Sequence, residues 1–325
     1  MLTCPVLSAL RAGMPEREIV YVGRDSFGEL ARVAHLADRV ISEDSPEAVA
    51  LHSRAPGAGE AFSHRAGPVA LAVSFLGSPD VTRNLLGAGA EEVLVSAAKP
   101  AAGVGVHAAD HLISVLKGRL DVPSPARPRI KVPAAVRESA SAVLREAGVP
   151  SRAYLVIQPG SGSPGKNWPA GNFRVLASLA RDALGLAVVI VLGPAELERD
   201  PPAIRAGPMS GASAPGQDAD DLCSVADAIL KSPRLPLLAA LLADAAAYVG
   251  NDSGVSHLAA ACGAPTVAVF GPSDPAVWAP RGARVTVVRA NAPGPAACTG
   301  SPGDLRQVEV EDVLEALRAL ARGRA

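Results

Sequence analysis

The chain has 325 residues, 49% of them hydrophobic and 19% charged, which excludes an intrinsically disordered polymer. Its 31 basic and 32 acidic residues nearly cancel, so no global field favours nucleic acid, and no nucleic-acid partner is expected. Only 5 Phe, 3 Tyr and 2 Trp are present, and the length suits two domains with cores of their own.

Taken in chain order, apolar periodicity predicts alternating strands and helices. Residues 18–22 (EIVYV) are predicted as a strand, 27–36 as a helix and 39–41 as a strand. Strands over 69–75 and 92–95 flank a helix over 79–86. Residues 121–133 (DVPSPARPRIKVP) hold four prolines and form the best linker. A helix follows, with Val136, Ala140, Val143, Leu144 and Ala147 on one face and Gly148 as its stop. The alternation then restarts: strand 153–157, helix 170–184, strand 186–192, a Gly/Pro/Asp/Ser-rich loop over 199–221 and a helix over 235–242. Strand 246–249, helix 253–262, strand 266–270 and an amphipathic helix from about 310 to 320 complete the series. The fold class is α/β with mostly parallel sheets, in two open domains joined near residue 130, and with ligands expected at the carboxyl ends of strands. The domain boundaries are 1–130, 131–309 and a terminal helix, 310–325, packing back toward the amino-terminal domain.

Cys4, Cys223, Cys262 and Cys298 are widely spaced, which argues against a zinc site or a disulfide framework and fits a reducing cytoplasm. No apolar run reaches the ~20 residues that span a bilayer.

Three loops carry candidate chemistry. The first, 158–169 (QPGSGSPGKNWP), follows a strand; its glycines, Gly162 among them, offer backbone N–H groups, and Lys166 adds a positive charge suited to a phosphate-bearing ligand. It matches most of a P-loop, but Asn167 stands where Ser or Thr should hold magnesium, and Pro169 removes a donor from the following helix. A Gly-rich turn with a solvated lysine is the plain alternative. The second, 250–257 (GNDSGVSH), opens a helix that Asn251 or Asp252 can cap, with Ser253 and Gly254 in its first turn. Free N–H groups there make an anion site, with His257 one turn further along; a simple cap and a core histidine are the alternative. The third, 270–281 (FGPSDPAVWAPR), is stiffened by three prolines, and Asp274 and Trp278 could meet the hydroxyls and apolar face of a sugar, or pack within the domain. Two other features read as solvated surface: Asp218-Ala219-Asp220, which has the DxD form of metal-dependent sugar transferases, and the basic run Arg127, Arg129, Lys131, Arg137.

Together these loops resemble the family 9 glycosyltransferases, which include the ADP-heptose:lipopolysaccharide heptosyltransferases. The matching stretches are QPGSGSPGKNWPAGNFRVLASLA, LPLLAALLADAAAYVGNDSGVSHLAAACGAPTVAVFGPSDPAVW and, more weakly, LTCPVLSALRAGMPEREIVYVGRDSFGELARVAHLADRVI. The resemblance implies a GT-B architecture, two Rossmann-like domains facing across a cleft, the carboxyl one holding the nucleotide-sugar and the amino one the acceptor. It implies inverting, metal-independent transfer of a heptose or related sugar from an ADP-sugar to a lipopolysaccharide core-type acceptor, with no cofactor. By position it places Ser161 and Lys166 on the donor phosphates and Asp252, Ser253, Gly254 and His257 in the diphosphate and sugar motif. Glu196 falls on the ribose hydroxyls, and backbone around Arg234–Leu237 beside the adenine. A cytoplasmic monomer is expected, peripheral on the inner face of the membrane, where a lipid-linked saccharide acceptor would be met.

The family opens with a strand and a Gly-Asp loop whose Asp is the catalytic base. Here Met1 directly precedes the helix LTCPVLSALR, so the base is unknown and the first strand is expected to be missing. Either the native start lies about 15–20 residues upstream, the favoured explanation because the donor motif is intact, or the product is an inactive, nucleotide-sugar-binding protein. A P-loop or dinucleotide protein is a third possibility, opposed by Asn167, Pro169 and the lack of GxGxxG after the first strand.

Overall fold

The computed structural model describes residues 1–193, 197, 222–289 and 303–322. The chain divides into two units, Met1–Arg129 and Ile130–Ala325.

In the first unit, α1 (Cys4–Gly13) precedes β1 (Val20–Gly23), α2 (Asp25–Val33), β2 (Arg39–Ser42), α3 (Pro46–Ala50) and α4 (Ala58–Ala66). Then come β3 (Leu71–Ser74), α5 (Pro79–Gly87), β4 (Glu92–Val95) and α6 (Ala108–Ile113). The predicted strands and helices are present. The helices α3, α4 and α6 were not predicted; α3 is short and starts at a proline behind the cap Ser45, α4 opens at a left-handed Gly57, and α6 has only six residues.

The four strands form two separate parallel ladders, β1 with β2 and β3 with β4. Among the described residues β1 and β3 each pair on one edge. A single apolar core nevertheless spans both ladders. Ile41 and the half-buried Val20 from the first meet Ala72 and Val93 from the second over Phe62, Val81 and Leu85. Burying such side chains is worth roughly 1.5–3 kcal/mol each, so hydrophobic contact holds the ladders where backbone bonds do not.

In the second unit, α7 (Ala134–Glu146) leads into β5 (Tyr154–Gln158), α8 (Ala170–Leu184), β6 (Ala187–Leu192) and β7 (Ala228–Lys231). After α9 (Leu235–Asp244) come β8 (Ala247–Asn251), α10 (Gly254–Ala261), β9 (Thr266–Phe270), α11 (Pro275–Trp278), β10 (Val285–Arg289) and α12 (Val310–Arg322). The helix α7 stops at Gly148, whose φ of 72° suits a residue without a Cβ. The strands β7 and β10 were missed, because both are short and only half-buried, so they lack the continuous apolar run of β5, β8 and β9.

All six strands are parallel, in the order β10-β9-β8-β5-β6-β7. Leaving β5, the chain builds outward through β6 and β7, then returns to β8 on the other side of β5 and builds the opposite way. The strand order therefore reverses between β5 and β8, the place where parallel sheets of this type leave a crevice for a ligand. The register Gln158↔Gly250 brings the ends of both strands level. A Cβ on Gly250 would collide with the Tyr248 hydroxyl and lie 3.0 Å from the Gln158 carbonyl, so only glycine fits there.

The core joins Trp168, Phe173 and Leu176 to Ile157, Ile190 and Val269. Val313, Leu314 and Leu317 of α12 belong to it. The apolar face of this helix lies on α8, β9 and β10. Arg137 on α7 is also not a free cation. It makes a two-pronged ion pair with Asp244 at the end of α9, which raises its pKa further. Arg127, Arg129 and Lys131 remain exposed, alternating with buried Ala126, Pro128 and Ile130.

Candidate functional site

The loop after β5 is held by polar side chains at the strand ends. Asn251, the last residue of β8, has no exposed surface. Its Oδ1 accepts the Trp168 N–H at 2.9 Å, and its Nδ2 donates to the Pro159 carbonyl at 2.6 Å. One amide thus closes both ends of the loop 159–168. Trp168 anchors the far end. It is buried edge-on against Phe173, and its indole N–H donates to the Val308 carbonyl at 3.0 Å. Gln158, 4% exposed, accepts from the Ser253 hydroxyl at 2.9 Å and ties the first loop to the second.

Ser161 is buried too. Its hydroxyl lies 2.7 Å from Asn167 Oδ1 and from the Ser163 carbonyl, and accepts the Ser163 N–H at 3.2 Å. These bonds shape the loop from within. The loop crown, Gly162–Gly165, is exposed.

Lys166 follows the crown. Its Nζ donates to Asp252 Oδ2 at 2.7 Å, with the lysine half-buried and the carboxylate 9% exposed. Asp252 N–H in turn donates to the Val269 carbonyl at 3.1 Å, which sets the carboxylate beside the end of β9.

Ser253 is the N-cap of α10, its oxygen accepting the Ser256 N–H at 3.3 Å. The predicted caps, Asn251 and Asp252, are committed to Trp168, Pro159 and Lys166, so the role moves one residue on. Gly254 and Val255 then open the helix, and their N–H groups meet no acceptor among the described residues. Two free donors at the positive end of a helix form an anion-binding corner, and Lys166 lies beside it. His257 lies one turn into α10, 7% exposed.

The glycines here are informative. A Cβ added at Gly162, Gly165 or Gly254 meets nothing within 4 Å, and none of the three has a left-handed φ. Neither packing nor backbone conformation requires glycine at these positions. The open space suits a bulky anion that comes up against the backbone itself.

The third loop starts beside the second, because β9 adjoins β8. Asp274 caps α11 through its Oδ1, which accepts the Ala276 N–H at 2.9 Å, and is exposed; Trp278 ends that short helix half-buried. Arg234, the N-cap of α9, follows β7 at the same end of the sheet. Glu196, Asp218 and Asp220 lie outside the described residues.

The structure therefore brings Ser161, Gly162, Lys166, Asp252, Ser253, Gly254 and His257 to one end of the sheet. Gln158 and Asn251 were not predicted as the residues that organise them. Their signal was a polar residue ending an otherwise apolar, fully buried strand.

A sequence model of glycosyltransferase family 9 (heptosyltransferase) matches residues 93–306. The chain is similar to lipopolysaccharide heptosyltransferase 3 of Escherichia coli, 31% identical over 148 residues, covering 42% of this chain. That stretch spans only 36% of the relative's length. In fold it is similar to a family 9 glycosyl transferase of Veillonella parvula, at 21% identity and TM-score 0.76 over 99% of this chain and 93% of that one. It is likewise similar to the E. coli ADP-heptose lipopolysaccharide heptosyltransferase II, at 20% identity and TM-score 0.70 over 99% and 95% of the two chains.

Proposed function

The chain belongs to glycosyltransferase family 9, and on that premise we propose that it transfers a heptose or related sugar from an ADP-sugar to a lipopolysaccharide core-type acceptor. The observation that carries this reading is the convergence of Lys166, 2.7 Å from Asp252, with the open start of α10 at the point where the strand order reverses. Related proteins named for the use of ADP-heptose share the fold and support the choice of donor.

In the proposed step an acceptor hydroxyl, giving its proton to a general base outside the donor loops, attacks the anomeric carbon from the face opposite the nucleotide. Its C–O bond forms as the bond to the β-phosphate oxygen breaks, which inverts the centre. Negative charge then grows on the departing diphosphate. Lys166 and the N–H groups of Gly254 and Val255 stabilise that charge, so the step needs no metal ion. The ion pair with Asp252 keeps Lys166 in place before the donor arrives. Ser161 acts through loop shape, and Gln158 and Asn251 are positioning residues. His257, Asp274 and Trp278 are assigned to the sugar side, and Glu196 to the ribose. The protein acts as a cytoplasmic monomer, peripheral on the inner membrane face where a lipid-linked acceptor is met.

The test is calorimetric titration with ADP, followed by a transfer assay with ADP-heptose and a lipid-linked core saccharide. Binding with turnover is the expected result. Binding without turnover would favour a non-catalytic nucleotide-sugar-binding protein, and absence of ADP binding would remove the donor reading.

A further inference from the structure

Beneath the start of α10 runs a buried chain of hydroxyls. Tyr248, Asn251 and Ser256 have no exposed surface, so neither hydroxyl meets a ligand directly. Ser256 Oγ donates to the main-chain carbonyl of Asn251. A carbonyl only accepts and a serine hydroxyl has one proton, so that proton is committed. The Tyr248 hydroxyl, 3.0 Å from Ser256 Oγ, is therefore the donor in their contact. The chain of bonds runs from Tyr248 through Ser256 to the end of β8.

Strand geometry sends the tyrosine there. Residues 248 and 250 face the same side of β8, and Gly250 leaves its place on that side empty. The tyrosine lies over the space: a Cβ on Gly250 would stand 2.2 Å from its hydroxyl oxygen. The hydroxyl thus reaches the carboxyl end of the strand and meets the first turn of α10.

Asn251 thereby becomes a shared reference point. Its side chain closes the loop that carries Lys166, through the Trp168 N–H and the Pro159 carbonyl. Its main-chain carbonyl holds Ser256, the third residue of α10, directly behind Gly254 and Val255. The cation and the two free amides are both fixed to one residue. In a dry site a lost hydroxyl partner is not replaced by water, so the first turn must shift to satisfy the atom left behind.

We propose that Tyr248 and Ser256 are positioning residues for phosphate binding: their hydroxyl tether fixes the spacing between Lys166 and the Gly254 and Val255 N–H groups, and with it the fit for a diphosphate. That this diphosphate belongs to an ADP-sugar rests on the function proposed above; the anion fit itself does not.

The test is calorimetric titration of the full chain with ADP and with inorganic pyrophosphate, well below the melting temperature. Tyr248→Phe keeps the ring and removes only the donor. It should weaken both ligands by about threefold to tenfold, and Ser256→Ala by about tenfold. Tyr154→Phe is the matched control. Its hydroxyl is also buried and donates to the Leu241 carbonyl at 2.6 Å, but from the first residue of β5, at the opposite end of the sheet. That variant should lose at least as much in melting temperature and bind both ligands as the parent does. The double variant Tyr248→Phe/Ser256→Ala should bind no more weakly than Ser256→Ala alone, because the two hydroxyls act as one unit. Unchanged affinity in Tyr248→Phe, an equal loss in Tyr154→Phe, or additive losses in the double variant would overturn the proposal. A parent that binds pyrophosphate but not ADP would count against the donor reading only, and a weaker pyrophosphate complex in Tyr248→Phe would still support the tether. A parent that binds neither would overturn both.

Discussion

Asn251 holds Trp168 by its backbone, accepting the N–H at 2.9 Å, while the same amide donates to Pro159 nine residues earlier in the chain. The loop that carries Lys166 is therefore closed by one side chain from a strand it does not belong to. Its shape depends on β5 and β8 lying side by side.

Asn251→Ala removes both bonds and leaves a buried N–H and a buried carbonyl without partners. The expected cost is about 2–4 kcal/mol, a fall in melting temperature of about 5–10 °C for a unit of this size. Differential scanning calorimetry would measure it. Asn251→Asp should do no better, because a carboxylate cannot donate to Pro159 and brings charge into a dry site.

Lys166→Ala removes the half-buried cation but no buried packing. ADP affinity should fall about tenfold or more, as expected for a charge-assisted contact to phosphate. Lys166→Arg should retain part of it. An unchanged dissociation constant by isothermal titration calorimetry would rule out the phosphate role.

Gly254→Ala separates packing from ligand contact. The added Cβ meets nothing within 4 Å, and φ is ordinary, so stability should hold or rise by up to about 1 kcal/mol. ADP affinity should nevertheless fall, because the methyl group occupies the path of the diphosphate. A variant that melts normally and binds ADP as the parent does would refute close approach at this position.

Asp38 gives a pH prediction for the first unit. Partial desolvation pushes this exposed carboxyl up, but the Ile19 N–H at 2.7 Å and Arg11 at 2.5 Å outweigh that and hold it below the usual carboxylate range. A depressed carboxyl contributes stability above its unfolded pKa and loses it as pH falls through the folded value. Asp38→Asn should therefore lower the melting temperature near neutral pH and flatten its decline below about pH 4. Parallel melting curves for parent and variant over that range would contradict the assignment.

Much of this was legible in the chain itself. Continuous apolar runs such as 154–158 and 266–270 announced buried parallel strands, and the Gly- and Pro-rich stretches after them announced the loops of the candidate site, because both signals are local. Lys166 and Gly254 could be named because charge and the absence of a side chain are properties of single residues. The strands β7 and β10 were not legible: four or five half-buried residues at the two edges of the sheet carry too little periodicity.

What the amino-acid order determined, then, was the alternation of strands and helices, the three loops and the chemistry of their side chains. Only the tertiary structure decided that β8 returns beside β5, that Asn251 and Gln158 tie the loops together, and that Ser253 takes the cap from Asp252. It also decided that the last helix completes the second core. The physical reason is the same in each case. A hydrogen bond or an apolar contact between residues some 80 to 150 positions apart, such as Lys166 with Asp252 or Trp168 with Val308, leaves no periodic trace in either segment and exists only once the sheet has brought them together.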